Sequence, residues 1–272
     1  MITGLPPVEA SIIRIEGLPG GEYVCVDLQA QAVAERAVPG QFVHVRFPGR
    51  NEPFLRRPLS IAGAENGVIT LLFKRKGMFT NELACRQPGE SVSLLGPLGN
   101  GYDLSFPASQ NAFLVAGGYG VAPMLYLARK LKEAGRAEGI TLIEGARSRE
   151  ALVWIDRAEK IPWLEFVPVT EDGSKGEKGT ALDALARLLA GHEGGPRLFA
   201  CGPMGMLAEI HRRWPGIPYQ AAVENQMGCG IGICQGCVLP VRGGEGAEKY
   251  ARICLDGPVF PGDRIEWESC PE

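Results

Sequence analysis

AFLVAGGYGVAPMLYLA, residues 112–128, is the one stretch of this chain that could be taken for a membrane span, and its reading sets the fold. It carries no charge, yet it falls short of the roughly 20 apolar residues that a spanning helix needs, and three glycines and a proline interrupt it. Its apolar run, glycine turn and the following VAPMLYLARKLKEAG read instead as strand, tight turn and helix. A helix that opens directly after such a turn points its N-terminus at an anion, and Gly117, Gly118, Gly120 and Pro123 are the positions where a pyrophosphate would be received. A glycine-rich turn alone is a weak signal, because it serves equally as a simple bend.

Downstream the alternation continues through ITLIEGAR, LEFVPVT, TALDALARLLAG, PRLFACG and the helical MGMLAEIHRRW. Strands alternating with helices predict a doubly wound parallel sheet, assigned to residues 106–215 as a nucleotide domain. Upstream, ASIIRIEGL, YVCVDL, GQFVHVRF, GVITLLFK and SVSLLGP are short β-like runs separated by Gly and Pro, which predicts an antiparallel β-barrel over residues 1–105. After Pro215 the periodicity gives way to ENQMGCGIGICQGCVLPV and two β-like pieces, ARICLDG and DRIEWES. Residues 216–272 therefore read as a small third module with too little apolar material to fold alone, held by a metal or a neighbouring domain. The fold class is multidomain, β plus α/β.

Composition bounds the function. The 272 residues are 45% hydrophobic and 22% charged with net charge -3, an ordinary globular balance with no electrostatic reason to expect nucleic acid. The opening MITGLPPVEASIIRIEG lacks a basic segment followed by an apolar one, so export is not expected and a cytoplasmic, membrane-free protein is. Eight cysteines are many for such a chain, and three of them crowd into nine residues. Clustered cysteines without a secretion signal suit metal ligation better than a disulfide scaffold.

Cys229, Cys234 and Cys237 stand as C-x4-C-x2-C, with Cys254 after sixteen further residues, the spacing of plant-type [2Fe–2S] proteins. Gly228, Gly230, Gly232 and Gly236 permit the tight wrapping that brings thiolates and backbone N–H groups around two irons. A structural zinc site is the competing reading, but its ligands come more often as two C-x2-C pairs without glycine-rich wrapping. Cys270 competes as the fourth ligand; it lies near the C-terminus, where order is poorest, whereas Cys254 sits in a β-like run and is preferred. Cys25, Cys85 and Cys201 read as small buried hydrophobes. His44, His192 and His211 fall outside every motif and read as surface or packing residues.

Arg56-Arg57-Pro58-Leu59-Ser60-Ile61, taken alone, is a solvated corner; it resembles, however, the R-x-x-S flavin signature of the ferredoxin-reductase superfamily. There the arginine neutralises the FAD pyrophosphate, a role that suits a planar guanidinium fork, and the serine region lies against the isoalloxazine. Lys76-Gly77-Met78-Phe79-Thr80 corresponds to the K-G-x-G-T segment of that superfamily, with Phe79 where glycine is usual. Cys201-Gly202-Pro203 resembles its C-G-P segment at the nicotinamide pocket, and Arg147-Ser148 stand where its members contact the adenosine ribose. These residues do not choose between NAD and NADP.

The order barrel, nucleotide domain, cluster, together with LRRPLSIAG, GPLGNGY, EDGSKGEKG, MGCGIGICQGC and ICLDGPVF, resembles the electron-transfer subunit of class B dihydroorotate dehydrogenase over nearly the whole chain. The resemblance implies an oxidoreductase subunit with FAD, one [2Fe–2S] cluster and NAD, paired with an FMN-containing catalytic subunit, two of each in a heterotetramer. Electrons from dihydroorotate would pass from that FMN through the cluster and FAD to NAD+, in pyrimidine biosynthesis. It carries cluster ligation to Cys229, Cys234, Cys237 and Cys254, and FAD contacts to Arg57, Pro58, Leu59, Ser60, Leu72, Phe73, Lys74, Phe79 and Thr80. No catalytic acid or base is implied on this chain. Related subunits of NAD(P)H–ferredoxin transhydrogenases and of sulfur- or hydrogen-metabolising complexes are the alternative, and a zinc-stapled regulator without cofactors is a third reading from another class.

Overall fold

The computed structural model describes residues 6–50, 52–106, 111–191, 196–243 and 249–270; His192 lies outside the described residues. The chain forms two compact units.

In the first unit six strands close a barrel: β1 (Val8–Gly17), β2 (Tyr23–Gln29), β3 (Phe42–Arg46), β4 (Arg57–Glu65), β5 (Val68–Lys74) and β6 (Ser91–Leu98). Their order is β1-β2-β5-β4-β3-β6, and every neighbouring pair is antiparallel. Period-2 patterning explains the closure: β6 alternates strictly, burying Val92, Leu94, Gly96 and Leu98 while its other residues stay partly open. Val43, Val45, Ile61, Ile69 and Leu71 are fully buried with them. Two short helices, α1 (Gln31–Ala34) and α2 (Met78–Leu83), follow β2 and β5.

The second unit holds a seven-stranded sheet. It comprises β7 (Ala112–Gly117), β8 (Ile140–Ala146), β9 (Glu165–Thr170), β10 (Glu177–Lys178), β11 (Arg197–Cys201), β12 (Tyr219–Ala222) and, beyond the short β13 (Val238–Pro240) and β14 (Tyr250–Arg252), β15 (Val259–Pro261). The order is β10-β9-β8-β7-β11-β12-β15, parallel throughout except for β15 at the edge. The helices are α3 (Val121–Glu133), α4 (Ile155–Ala158), α5 (Ala181–Ala190) and α6 (Met204–Arg213). Winding runs outward from β7 to β8 and β9, then reverses through β11 to β12, so the switch point lies between the C-terminal ends of β7 and β11.

The tail does not pack by itself: 225–238 and 252–258 group with the barrel unit, whereas 239–243, 249–251 and 259–270 group with the sheet unit, which begins at Tyr102. A segment too poor in apolar residues for its own core instead lends its few to existing ones, with Ile253, Phe260 and Ile265 completely buried. Nor is Cys254 in a strand; β14 ends at Arg252 and a helical turn, α7 (Ile253–Asp256), carries it, with Asp256 accepting the Arg252 N–H at 2.7 Å. DRIEWES likewise forms two 3-10 turns. Among the described residues no helix is long and apolar enough to cross a membrane.

Glu144, in the middle of β8, is completely buried. One carboxyl oxygen accepts the Val153 N–H at 2.6 Å and the other has no partner. Burial pushes its pKa from 4.5 up to about 8, against the smaller pull of that N–H. An acid whose pKa is raised by folding stabilises the fold fully below its unfolded value and loses that contribution as pH rises through the folded value. Thermal melts should therefore show the native chain losing stability, relative to Glu144→Gln, between about pH 4.5 and about 8, with no further loss above that range.

Candidate functional site

The cysteine loop, residues 225–238, and the turn carrying Cys254 lie in the barrel unit. Backbone N–H groups converge on the sulfurs: Ile231 and Cys234 donate to Cys229 Sγ at 3.5 and 3.4 Å, Gly236 to Cys234 Sγ at 3.5 Å, Gly232 to Cys254 Sγ at 3.1 Å, and Cys254 to Cys237 Sγ at 3.5 Å. These backbone bonds link the cysteines two by two, Cys234 to Cys229 and Cys254 to Cys237, and Gly232 ties the loop between the first two to Cys254. Burial opposes ionisation of Cys229, but its N–H donors and the Cys234 thiol outweigh it and hold its pKa down to about 7. For Cys254, burial first and the Cys237 thiol next push it up to about 12.

Among the described residues no three His, Cys, Asp or Glu side chains converge as a set able to hold a metal ion. Two sulfur pairs suit a two-iron group, with two thiolates to each iron, better than a single tetrahedral zinc. Cys270 is elsewhere, its thiol donating to Glu266 O at 3.5 Å. Cys25 and Cys201 are buried as expected, but Cys85 is exposed, because the short α2 turns Leu83 inward and the next turn outward.

Two motifs quoted separately from the sequence meet here. In GPLGNG, Asn100 N–H donates to Gly257 O at 2.6 Å and its side chain to Leu255 O at 3.2 Å, clamping the Cys254 turn to the end of β6. Gly99 makes the approach possible: its φ is +75°, and a Cβ there would lie 2.5 Å from Pro258 Cδ and 2.6 Å from Gly257 O. Gly99→Ala should destabilise the barrel unit by about 1–3 kcal/mol. A chelator challenge should accordingly strip metal faster from this variant; equal stability and equal metal loss would contradict the clamp.

Just before β4 and at its first residue the two arginines separate. Arg56 is committed to the barrel, donating to Ser93 O at 2.8 Å, Ser93 Oγ at 2.9 Å and His44 O at 3.3 Å. Arg57 donates to Leu55 O at 2.7 Å and, among the described residues, has no carboxylate partner, so its guanidinium is the one able to meet an anion. Pro58, Leu59 and Ser60 follow it, each half-buried. Leu72, Phe73 and Phe79 are buried. The Phe79 ring packs 4.7 Å from that of Phe47, which is why a large residue stands without obstruction where glycine is usual. Lys74 pairs with Glu22 at 2.5 Å. Thr80 Oγ1 accepts the N–H groups of Lys76 and Gly77 at 3.0 and 3.1 Å, fixing the turn into α2.

At the switch point of the sheet the glycine turn and the C-G-P segment come together. A Cβ on Gly117 would lie 2.7 Å from Pro203 Cδ, and one on Gly120 2.4 Å from Cys201 O. Gly118 has φ +55° in the same turn, and Pro123 is buried in the first turn of α3. Tyr119 Oη donates to Glu224 Oε2 at 2.5 Å across this mouth. At the end of β8, Arg147 is exposed and Ser148 Oγ donates to Glu150 Oε2 at 2.7 Å. Sequence reasoning missed Glu224, Asn100 and His44. Asn100 lay in a quoted motif, but no spacing signal links residue 44, 224 or 100 to its partner.

Residues 224–266 match the profile of the iron–sulfur cluster binding domain of dihydroorotate dehydrogenase B, and residues 114–212 that of an oxidoreductase NAD-binding domain. The chain is 39% identical over 237 residues to the dihydroorotate dehydrogenase B (NAD(+)) electron transfer subunit of Bacillus caldolyticus, covering 86% of this chain and 88% of that one. It is 36% identical to the subunit of the same name from Desulforamulus reducens, over 96% of this chain and 98% of the relative. Among solved structures, an NADH-dependent reduced ferredoxin–NADP oxidoreductase superposes with TM-score 0.82 at 28% identity, over 98% of this chain and 92% of that one. A Neisseria gonorrhoeae ferredoxin–NADP+ reductase with bound FAD and NADP, at TM-score 0.66 and 20% identity over 79% of this chain and 92% of that one, shares the fold. With paired thiols on a closed barrel and a doubly wound sheet beside them in sequence, and with full-length relatives under one name, this chain belongs to the family of electron-transfer subunits of dihydroorotate dehydrogenase B.

Proposed function

We propose that the chain is the FAD- and [2Fe–2S]-bearing subunit that delivers electrons from a dihydroorotate-oxidising, FMN-containing partner to NAD+. The observation that carries this reading is the set of backbone N–H groups directed at the sulfurs of Cys229, Cys234, Cys237 and Cys254, linking them two by two in the same unit as the Arg57 strand. When bound, a [2Fe–2S] cluster passes electrons singly, FAD exchanges one-electron for two-electron chemistry, and NAD+ takes hydride.

The chain's own residues bind and orient. The four thiolates hold the irons, and the N–H groups of Ile231, Gly232, Cys234 and Gly236 lower the cost of negative charge on sulfur. Arg57 would neutralise the FAD pyrophosphate, with Pro58, Leu59 and Ser60 beside it on β4 as the residues to hold the flavin. The glycine turn at 117–120 and Cys201-Gly202-Pro203 receive NAD at the switch point. Ser148 Oγ is committed to Glu150 and so is not free to donate to a 2′-phosphate, which supports NAD over NADP. The working form is a cytoplasmic heterotetramer of two copies of each subunit.

Mixing the anaerobically purified chain with an FMN-containing dihydroorotate dehydrogenase subunit should produce dihydroorotate-dependent NAD+ reduction, absent from either subunit alone. The TM-score of 0.82 to a ferredoxin–NADP oxidoreductase chain favours a second reading, a subunit serving a transhydrogenase. In that case the chain would support NAD(P)H–ferredoxin exchange and no dihydroorotate turnover.

A further inference from the structure

His44 sits on β3, facing outward from the barrel on the same side as Phe42, and it is completely buried. Its cross-strand partner on β4 is Pro58, and that of Phe42 is Ser60, so this face belongs to the proposed flavin strand. The other side of the imidazole meets the cysteine loop: a Cβ on Gly230 would lie 2.6 Å from Nε2, 2.7 Å from Cε1 and 2.8 Å from Cδ2. Gly230, with φ +72°, adjoins Cys229 and precedes the N–H groups directed at the sulfurs. Among the described residues neither His44 ring nitrogen has a hydrogen-bond partner. Burying an imidazole without partners forfeits its hydrogen bonds to water and gains none in return, so its burial here points to a partner outside the polypeptide.

We propose that His44 is a positioning residue for the iron–sulfur centre: its ring seats the Gly230 turn on the flavin strand's side of the barrel, and a ring N–H would donate to an inorganic sulfide of the bound cluster. The inference rests on the proposed [2Fe–2S] reading. A donor to sulfur stabilises the additional electron of the reduced state and raises the potential. The ring also bridges β4 and the cysteine loop, excluding water from the seam between them.

The test is an EPR-monitored redox titration of the purified FAD-loaded chain carrying His44→Leu or His44→Gln, beside the native chain. His44→Leu should disfavour cluster reduction about tenfold, a shift of about 59 mV to lower potential for one electron, while His44→Gln, which keeps an N–H near Nε2, should recover most of it. If His44→Leu fails to retain iron, His44→Gln decides the matter, and it should keep the cluster near the native potential. A native-like potential in His44→Leu, or loss of the cluster from His44→Gln, would overturn the proposal. Absence of iron and sulfide from the native chain would instead refute the [2Fe–2S] reading itself.

Discussion

Cys254→Ser is expected to abolish the iron–sulfur chromophore and leave the flavin in place. Cys254 is buried, receives the Gly232 N–H at 3.1 Å and pairs with Cys237, so no other thiol can take its place without moving α7. A serine hydroxyl fits the space but is a far weaker acid than a thiol, and its hard oxygen suits a sulfide-bridged iron less well than a soft thiolate. Iron and acid-labile sulfide should fall by about tenfold or more, with loss of the visible and EPR signals of the centre. FAD content should persist, because Arg57 and the rest of β4 are untouched. Cys270→Ser is the control: its thiol turns to the Glu266 carbonyl, and its spectra should match the native chain. Unchanged spectra in Cys254→Ser would remove this cysteine from the ligand set.

Arg57→Ala is expected to release FAD while sparing the cluster. The neighbouring arginines invite confusion, and hydrogen bonding separates them. Arg56 holds β3 to β6 through Ser93 and the His44 carbonyl, so removing it should cost stability; among the described residues Arg57 donates only to the Leu55 and Arg56 carbonyls. A charge-assisted contact to phosphate contributes about 1.5–3 kcal/mol, so FAD affinity should drop by roughly ten- to a hundred-fold in Arg57→Ala. Arg57→Lys should recover part of it, keeping charge but losing the planar fork. Flavin released on ultrafiltration, read by fluorescence, checks both. Retention of FAD by Arg57→Ala alongside its loss from Arg56→Ala would reverse the assignment.

Much of this was legible because the signals were local. The period-2 runs from Ser11 to Pro97 specify a barrel since each buries one face, and AFLVAGG followed by an amphipathic helix specifies the first turn of a parallel sheet. The cysteine spacing needs only a loop's worth of geometry. What escaped was set by distant partners. Tyr219–Ala222 and Val259–Pro261 are strands of four and three residues, too short to show a period, and they exist because the sheet edge supplies hydrogen bonds. ARICLDG has β-branched and apolar residues typical of a strand, yet Asp256 caps the backbone at Arg252 and bends it into a turn. His44 stood in an ordinary strand, GQFVHVRF; only the fold brings Gly230 against it. Glu144 was likewise hidden in the apolar run ITLIEGA, where a single acid reads as an ordinary strand residue until both sheet faces are covered.

Four thiolates holding two irons on a flavin-binding barrel are the central claim, and an EPR spectrum of the anaerobically purified chain after reduction with NADH tests it most directly. The predicted result is a reduced [2Fe–2S] signal integrating to about one spin per chain. No such signal from material that contains zinc, and neither iron nor sulfide, would contradict it.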